Sequence, residues 1–536
     1  MPHRAALLAI CLVAVAAVAC STRTGPPDGS TSPGTDGETP PGTDAGVEPV
    51  TEVIVTDSAP ADAPERFGGT DDPALAPEIV YPADGVVVPP NMREIELHYR
   101  DRGATIFELA FALPGVDLRV YFGCPERAGG GCIYPFDERV WNRLAELARG
   151  RGPIRFTLRG TDGTSVGTAA EQTIGFAEED ITGGLYYWNA GRGQIMRYEW
   201  GRRGGAAEVF LDRGRTGALM CVGCHNVSRD GRRIAVGLDL PGSILQTYEV
   251  ATRARVFSRG GAAFPPSPQQ PTFFSFSPDA NLIVGGAGRG LDIHHASSGD
   301  IAFPAIAADA TMPDWSPDGN HIVYVETATP PPFNTASVSS GSIHTVRLEG
   351  TTWVPGPVLV ARAGENNFYP SYSPDGRWVV FNRSPSNTNS MGDDPEGMIA
   401  RVSDAQLWVV PGDGSGPPVR LARMEGFADS WPKWDPSAYV DRGRALFWLS
   451  FASRRAYGLR LAQDQRSQLW MAAFSPDDAR AGVDPGARAI RIPFQEIESA
   501  NHLPQWVTAI ERQTCTDNSQ CGGEFCQDGR CYPDLI

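Results

Sequence analysis

The chain has 536 residues, with 46 Lys+Arg against 63 Asp+Glu and a formal net charge of −17, so no domain-wide basic excess exists to displace phosphate counterions. General nucleic-acid binding is excluded. Sixty Gly and 46 Pro, roughly a fifth of the chain, announce many turns and few long helices, and the length exceeds what one hydrophobic core fills.

Met1 to Ala19 carries a short basic start (His3, Arg4), then the apolar run Ala5 to Ala19, ending Ala17-Val18-Ala19-Cys20. The run is too short to span a bilayer and is followed by a small-residue cleavage site, the pattern of a removed signal peptide over 1–19. It resembles the lipobox of bacterial lipoproteins, which implies lipidation of Cys20 and anchorage in the cell envelope. Ser21 stands where inner-membrane retention usually has aspartate, so the resemblance points to the outer membrane. Residues 20–74 are rich in Ser, Thr, Gly, Pro, Asp and Glu, with Val53-Ile54-Val55 as their one apolar cluster. They read as a disordered tether. No later stretch is apolar enough for a transmembrane helix.

From 75 to 180 the chain alternates as strands do, in Glu94-Ile95-Glu96-Leu97-His98-Tyr99 and Ile154-Arg155-Phe156-Thr157-Leu158, interrupted by one helix. Val140, Trp141, Leu144, Leu147 and Ala148 share its buried face, with Asp137 as N-cap and Gly150 as stop. The opening Pro-Glu-Ile-Val-Tyr-Pro-Ala-Asp-Gly resembles immunoglobulin-like domains of bacterial surface proteins, which implies a small β-sandwich. Gly163-Thr164-Ser165-Val166-Gly167 matches a hydrolase elbow in letters, but lies between short strands rather than between a strand and a helix.

The strongest pattern is a repeat. Val227-Ser228-Arg229-Asp230-Gly231 recurs as Phe276-Ser277-Pro278-Asp279-Ala280, Trp315-Ser316-Pro317-Asp318-Gly319 and Tyr372-Ser373-Pro374-Asp375-Gly376, and in reduced form as Trp434-Asp435-Pro436. Each copy leads into a β-branched or aromatic strand, so each is a hairpin turn. The Asp positions are about 49, 39 and 57 residues apart, near the ~40 to 50 of a four-stranded propeller blade plus insertions. The repeats resemble those of TolB-type propellers over residues 183–510. Leu503-Pro504-Gln505-Trp506 matches the approach to each turn but has no blade after it. The strands it needs stand at Gly184–Trp188 and Ile195–Trp200, so the expectation is a six-bladed all-β propeller whose last blade uses both ends of the domain.

Eight cysteines remain beyond Cys11 and Cys20. Cys124 and Cys132 flank a Gly-rich loop short enough for a local disulfide. Cys515, Cys521, Cys526 and Cys531 crowd a tail (511–536) with too little core to fold unaided. Two disulfides of unassigned connectivity staple it, zinc being disfavoured because no Cys-x₂-Cys knuckles occur.

Cys221-Val222-Gly223-Cys224-His225 has the pattern of c-type haem attachment, in which two thiols take the vinyl groups and the adjacent imidazole binds iron. Haem c is therefore a candidate cofactor, with His502 as a candidate second axial ligand and Met312 as a more distant one. The rival readings are a Cys221–Cys224 disulfide with His225 capping a strand, and a metal or redox thiol. Alignment of the copies places Cys224 with Met312, Tyr369, Trp431 and Leu503, on the approach to the innermost strand.

Other features are read as structural: His294-His295 alternate in a strand, Asp393, Asp394 and Glu396 sit in a solvated insertion, and Pro330-Pro331-Pro332 is a surface loop. No metal beyond haem iron and no catalytic residue is assigned. About 30 residues follow Trp506, which leaves no room for the α/β catalytic domain some enzymes join to this propeller type. The expectation is a non-enzymatic envelope lipoprotein whose propeller binds or scaffolds an envelope protein or glycan, the membrane contact being its N-terminal lipid. The alternative is an electron-transfer haem protein or oxidoreductase component.

Overall fold

The computed structural model describes residues 50–93, 95–202, 206–219, 222–239, 244–260, 273–286, 290–327, 338–361, 364–385 and 404–533. The signal peptide, Cys20, Cys221, the Pro330–Pro332 loop and the acids Asp393, Asp394 and Glu396 lie outside them. Pro49–Ile536 forms one compact unit.

Residues 50–74 correct the expectation that the tether runs to 74. Val50–Val55 is a strand paired in parallel with Val116–Phe122. Ala63–Phe67 is a short 3-10 helix with Ala63 and Phe67 buried, and Thr70–Asp71 pairs with Ser165–Thr168. The small apolar cluster has a groove to fill: Ile54 is in the main core, and Ala63 and Phe67 pack with Ile106, Tyr121 and Val166.

Two sheets follow. The larger has the order Val50–Val55, Val116–Phe122, Ile106–Leu113, Ile154–Thr161, Ser165–Thr168, Thr70–Asp71; the smaller joins Glu78–Tyr81, Glu96–Arg100, Gly131–Pro135 and Glu126–Ala128. Between Gly131–Pro135 and Ile154–Thr161 lies the helix Glu138–Ala148, capped by the Asp137 carboxylate on the Arg139 amide at 2.8 Å, with Val140, Trp141, Leu144, Ala145, Leu147 and Ala148 buried. The Cys124–Cys132 disulfide closes the loop leading into Gly131–Pro135.

The remaining sheets form the propeller. The first runs from Val222–Val227 through Arg233–Leu238 and Ile244–Glu249 to Arg255–Gly260; the second to fourth start on Phe273–Phe276, Ala310–Trp315 and Asn366–Tyr372. The fifth starts on Ser430–Trp434. The sixth pairs Asn501–Val507 with Gly184–Asn189, which pairs onward to Gln194–Glu199 and Glu208–Leu211. Innermost strands contact one another in a closed ring, the sixth meeting the first. Pairing with Asn501–Val507 covers the inner edge of Gly184–Asn189, and the edges that remain at the axis are short and protected by the ring. The turns work as their letters suggest: Ser228, Ser277 and Ser373 each donate a hydroxyl to the Asp two residues on, at 2.6 Å. Gly231, Gly319 and Gly376 take φ of 76°, 77° and 70°, which L side chains resist.

Sandwich and propeller share one core, so the separate domains expected at 75–180 and 183–510 are fused by packing. The joint is polar at its centre. Arg460, from the loop after the fifth sheet's long strand, donates to Glu96 through Nε at 2.8 Å and Nη2 at 2.6 Å, and to Glu126 at 2.6 and 2.7 Å. The Leu459 amide donates to His98 Nδ1 at 3.1 Å, which leaves Nε2–H to donate to Glu96 at 2.8 Å. Tyr81, Tyr457 and Trp470 stack edge-on around this group.

The tail is a small hairpin, Phe525–Gln527 with Arg530–Tyr532, bound by Cys515–Cys526 and Cys521–Cys531. Buried Arg512 ties it to the sixth sheet through Glu199 and Glu208, each at 2.9 Å.

Candidate functional site

The propeller axis is where side chains from all six sheets converge. Cys224, Met312, Tyr369, Trp431 and Leu503 have φ of 40°, 51°, 51°, 57° and 51°. At that point the ladder of the first, third, fourth and fifth sheets slips register, and the slip in the sixth lies opposite Leu503, between Tyr186/Gln505 and Trp188/His502. Each is a β-bulge with its extra residue in the left-handed region. In the third to sixth sheets the next residue is proline (Pro313, Pro370, Pro432, Pro504), which has no N–H to leave unpaired. The bulge turns its side chain inward. Glycine would relax the backbone, but would forfeit the packing that these side chains supply.

With Phe273 from the second sheet, those residues form a collar. Tyr369 stacks on Trp431 at 3.9 Å between centroids, and Phe273 lies 6.0 and 5.8 Å from the two rings. The cavity left among them, lined also by Cys224 and His225, measures about 50 Å³. Burial pushes the Tyr369 phenol well up, Cys224 adding to the effect.

Toward the hairpin turns a polar girdle follows, one side chain per sheet: Asn226, Ser275, Asp314, Ser371, Lys433 and Gln505. Lys433 Nζ donates to Asp314 Oδ1 at 2.8 Å, and Asp314 Oδ2 accepts from the Tyr372 amide at 2.8 Å. Asn226 accepts the Phe276 amide on Oδ1 at 3.1 Å and donates Nδ2 to Gln505 Oε1 at 3.2 Å. The girdle cavity measures about 40 Å³.

A larger concavity opens on the turn side, where the third, fourth and fifth sheets meet. It measures about 1040 Å³ and is lined by turn residues including Pro317, Asp318, Asp375, Arg377, Asp413 and Arg480.

The described part of the haem motif, Val222 to His225, lies on an innermost strand, not a helix. Cys224 is the collar residue of the first sheet and His225 follows it, 3% exposed. Neither ring nitrogen of His225 has a partner of hydrogen-bond geometry. Burial pulls its pKa down to about 3, against a small opposing effect of the Tyr186 backbone, so the imidazole is neutral. An orphaned imidazole suits a ligand; the surroundings do not suit haem. Cofactor pockets run to roughly 300–1,000 Å³, and the collar offers about 50 Å³.

Trp188 packs against both Gly223 and the His502 ring, the latter at 5.8 Å. His502 is absent from the collar lining, whereas Met312 is on it. Cys224, His225 and Met312 are thus brought together and His502 is not; Cys221, the other cysteine of the motif, lies outside the described residues.

His294 is buried, its Nδ1 3.1 Å from the Gly299 carbonyl, and His295 is exposed, the alternation of a strand. Ser165 opens a strand after a turn, with no helix behind it. Among the described residues, the one grouping of three metal-ligating side chains is Cys515, Cys521 and Cys526, whose sulfurs are held in disulfides. Sequence reasoning missed the girdle and Phe273, because both faces of an innermost strand are buried and alternation does not mark the axial one.

The chain matches no protein-family model and no curated protein. Solved structures similar to it include Kuenenia stuttgartiensis hydrazine synthase, 11% identical over 63% of this chain and 83% of that one, with a TM-score of 0.34. A Myceliophteria thermophila Cps50 (Swd1) β-propeller domain is 12% identical over 58% and 91%, with a TM-score of 0.31. The fission yeast SCAP WD40 domain is 12% identical over 48% and 67%, with a TM-score of 0.25. At such values these likenesses say nothing of activity; the ring of sheets itself makes the protein a β-propeller.

Proposed function

We propose that the protein is a cell-envelope lipoprotein of the TolB-like kind, anchored in the outer membrane through lipid on Cys20, whose propeller binds or scaffolds an envelope protein or glycan. The observation that carries this reading is the contrast between a plugged axis, with cavities of about 50 and 40 Å³, and a turn-side groove of about 1040 Å³. The axis is too small for a metabolite, and the groove is broad and open to a macromolecule. The lipobox-like Ala17-Val18-Ala19-Cys20 supports the anchor. The Cys-x-x-Cys-His letters support a second reading, an electron-transfer haem protein, against which the small collar cavity of about 50 Å³ weighs.

The test has two arms. In cells fed an alkyne fatty acid, the chain takes up label and Cys20→Ala does not. A photocrosslinker in place of Arg377, in the groove, yields a discrete envelope adduct that one at Val209, on the sixth sheet's outer strand, does not. Labelling that survives Cys20→Ala sinks the anchor, and identical adducts from both positions sink the groove.

A further inference from the structure

The girdle holds more positive charge and more donors than it can use internally. Two cations line its cavity, Arg229 and Lys433, against one carboxylate, Asp314. Asp314 is fully engaged: beyond Lys433 and the Tyr372 amide, Oδ2 accepts from Ser371 Oγ at 3.3 Å. That neutralises Lys433 and leaves Arg229.

Arg229 exists because the repeat lapses. Its position in the turn is proline in the other copies (Pro278, Pro317, Pro374, Pro436), and in its place a long cation reaches across the mouth of the axis. Among the described residues its guanidinium makes one hydrogen bond, from Nη2 to the Trp315 carbonyl of the third sheet at 3.0 Å. A guanidinium has five N–H donors. Burial holds Arg229 below the usual guanidinium value, Asp314 pulling the other way.

Neutral donors point the same way. Asn226 is oriented by the Phe276 amide, so Gln505 must present Oε1 to Asn226, leaving its Nε2–H₂ for the cavity. Ser275 Oγ accepts from the Trp315 amide at 3.1 Å and keeps its own hydrogen to donate. Lys433 retains two N–H bonds beyond Asp314. The turn carboxylates do not fill this demand. Asp230, Asp279 and Asp375 each accept from the serine two residues before and the backbone amide two residues on.

We propose that the girdle is a binding site for one small monovalent anion, of halide to formate size, held by Arg229, Lys433, Gln505 and Ser275. The volume sets the limit. A water needs roughly 10–15 Å³ of such space, and about 40 Å³ admits a halide or formate with little to spare. The chain's overall charge of −17 opposes entry only weakly, because charges beyond about 8–10 Å are screened. An anion here bridges the first, second, fifth and sixth sheets, so it acts as a rivet on the ring. The inference stands whether or not the propeller binds a partner.

The experiment uses the full chain with Cys20→Ala. Thermal unfolding is followed in sodium bromide, sodium formate and sodium gluconate at matched ionic strength, and crystals grown in bromide are measured for anomalous scattering. The expected result is a saturating rise in Tm with bromide and formate but not gluconate, and an anomalous peak among Arg229, Lys433 and Gln505. Arg229→Gln should raise the half-saturating bromide concentration about tenfold, the effect of losing one charge-assisted hydrogen bond. An equal Tm response to all three salts, an unchanged midpoint in Arg229→Gln, or an empty girdle in the anomalous map overturns the proposal. Should Arg229→Gln not fold, the map of the parent chain decides.

Discussion

The joint between sandwich and propeller can be dissected by pairing Glu96→Gln with Arg460→Met. Side-chain exposure is 16% at Glu96 and 20% at Arg460, so the pair is neither open to water nor fully desolvated. Burial opposes ionisation of Glu96, but hydrogen bonds from His98, Arg460 and Tyr457 outweigh it and hold the carboxyl near about 2. Exposed pairs couple by roughly 0.2–1 kcal/mol. A two-pronged, largely buried pair with charge-assisted bonds is expected to couple by about 2–3 kcal/mol.

The assay is urea unfolding by tryptophan fluorescence on the four members of the cycle at pH 7. The pH sign follows from the lowered folded-state pKa: stability from Glu96 is present above the unfolded value near 4.5 and is lost as pH falls through 2. Between pH 7 and 3.5 the parent should therefore lose about 1 kcal/mol that Glu96→Gln does not, after allowance for partial exposure. A coupling below 0.5 kcal/mol at pH 7, where roughly 2 is expected, would refute the view that this ion pair pins the two parts together.

Asp435, buried at 1% exposure, has its carboxyl pushed up by burial to about 7, against hydrogen bonds from Ser437 and Tyr439. Its contribution is full below pH 4 and is lost as pH rises through 7, so Asp435→Asn should gain on the order of 3 kcal/mol relative to the parent between pH 4.5 and 8; parallel pH–stability curves would contradict this. Trp506 stacks on Trp200 at 5.6 Å and donates Nε1–H to Ser450 Oγ at 2.7 Å. Trp506→Ala should cost about 3–5 kcal/mol in urea unfolding, and a loss under 1 would show that this seam bears little of the ring's stability. Exported in a host that matures c-type cytochromes, the chain should stay colourless on a haem-stained gel; a Soret band lost with Cys221→Ala and Cys224→Ala would show that the collar opens to admit haem.

The hairpin letters were enough to find the propeller, because Ser-Pro-Asp-Gly does its work within five residues and owes nothing to distant contacts. Aligning the copies also put Cys224 beside Met312, Tyr369, Trp431 and Leu503, and these five share one backbone conformation. The Cys-x-x-Cys-His motif shows the limit of such reading. Its letters are those of haem attachment, but the room a haem needs is decided by Tyr369 and Trp431, well over 100 residues away in sequence. The joint was invisible for the same reason: Glu96 and Arg460 are 364 residues apart, and neither sits in a periodic pattern that marks a partner. Val50–Val55 looked too isolated to fold, since the strand it pairs with gives no local sign of a vacant edge.

The sixth sheet also dictates an order of events. Its inner strand pairs with a strand far upstream; Ser499 and Asn189, hydrogen-bonded across that seam, are 310 residues apart. A chain delivered N-terminus first can complete five sheets and still hold an open ring, with Gly184–Asn189 waiting for its neighbour. The entropic cost of that closure grows only logarithmically with loop length, but the wait is fixed by how fast residues 501–507 arrive. Until then Leu185, Tyr186 and Tyr187, all fully buried in the finished ring, lack the strand that covers them. Anything that shields this strand until Asn501–Val507 arrives will therefore favour closure of the ring.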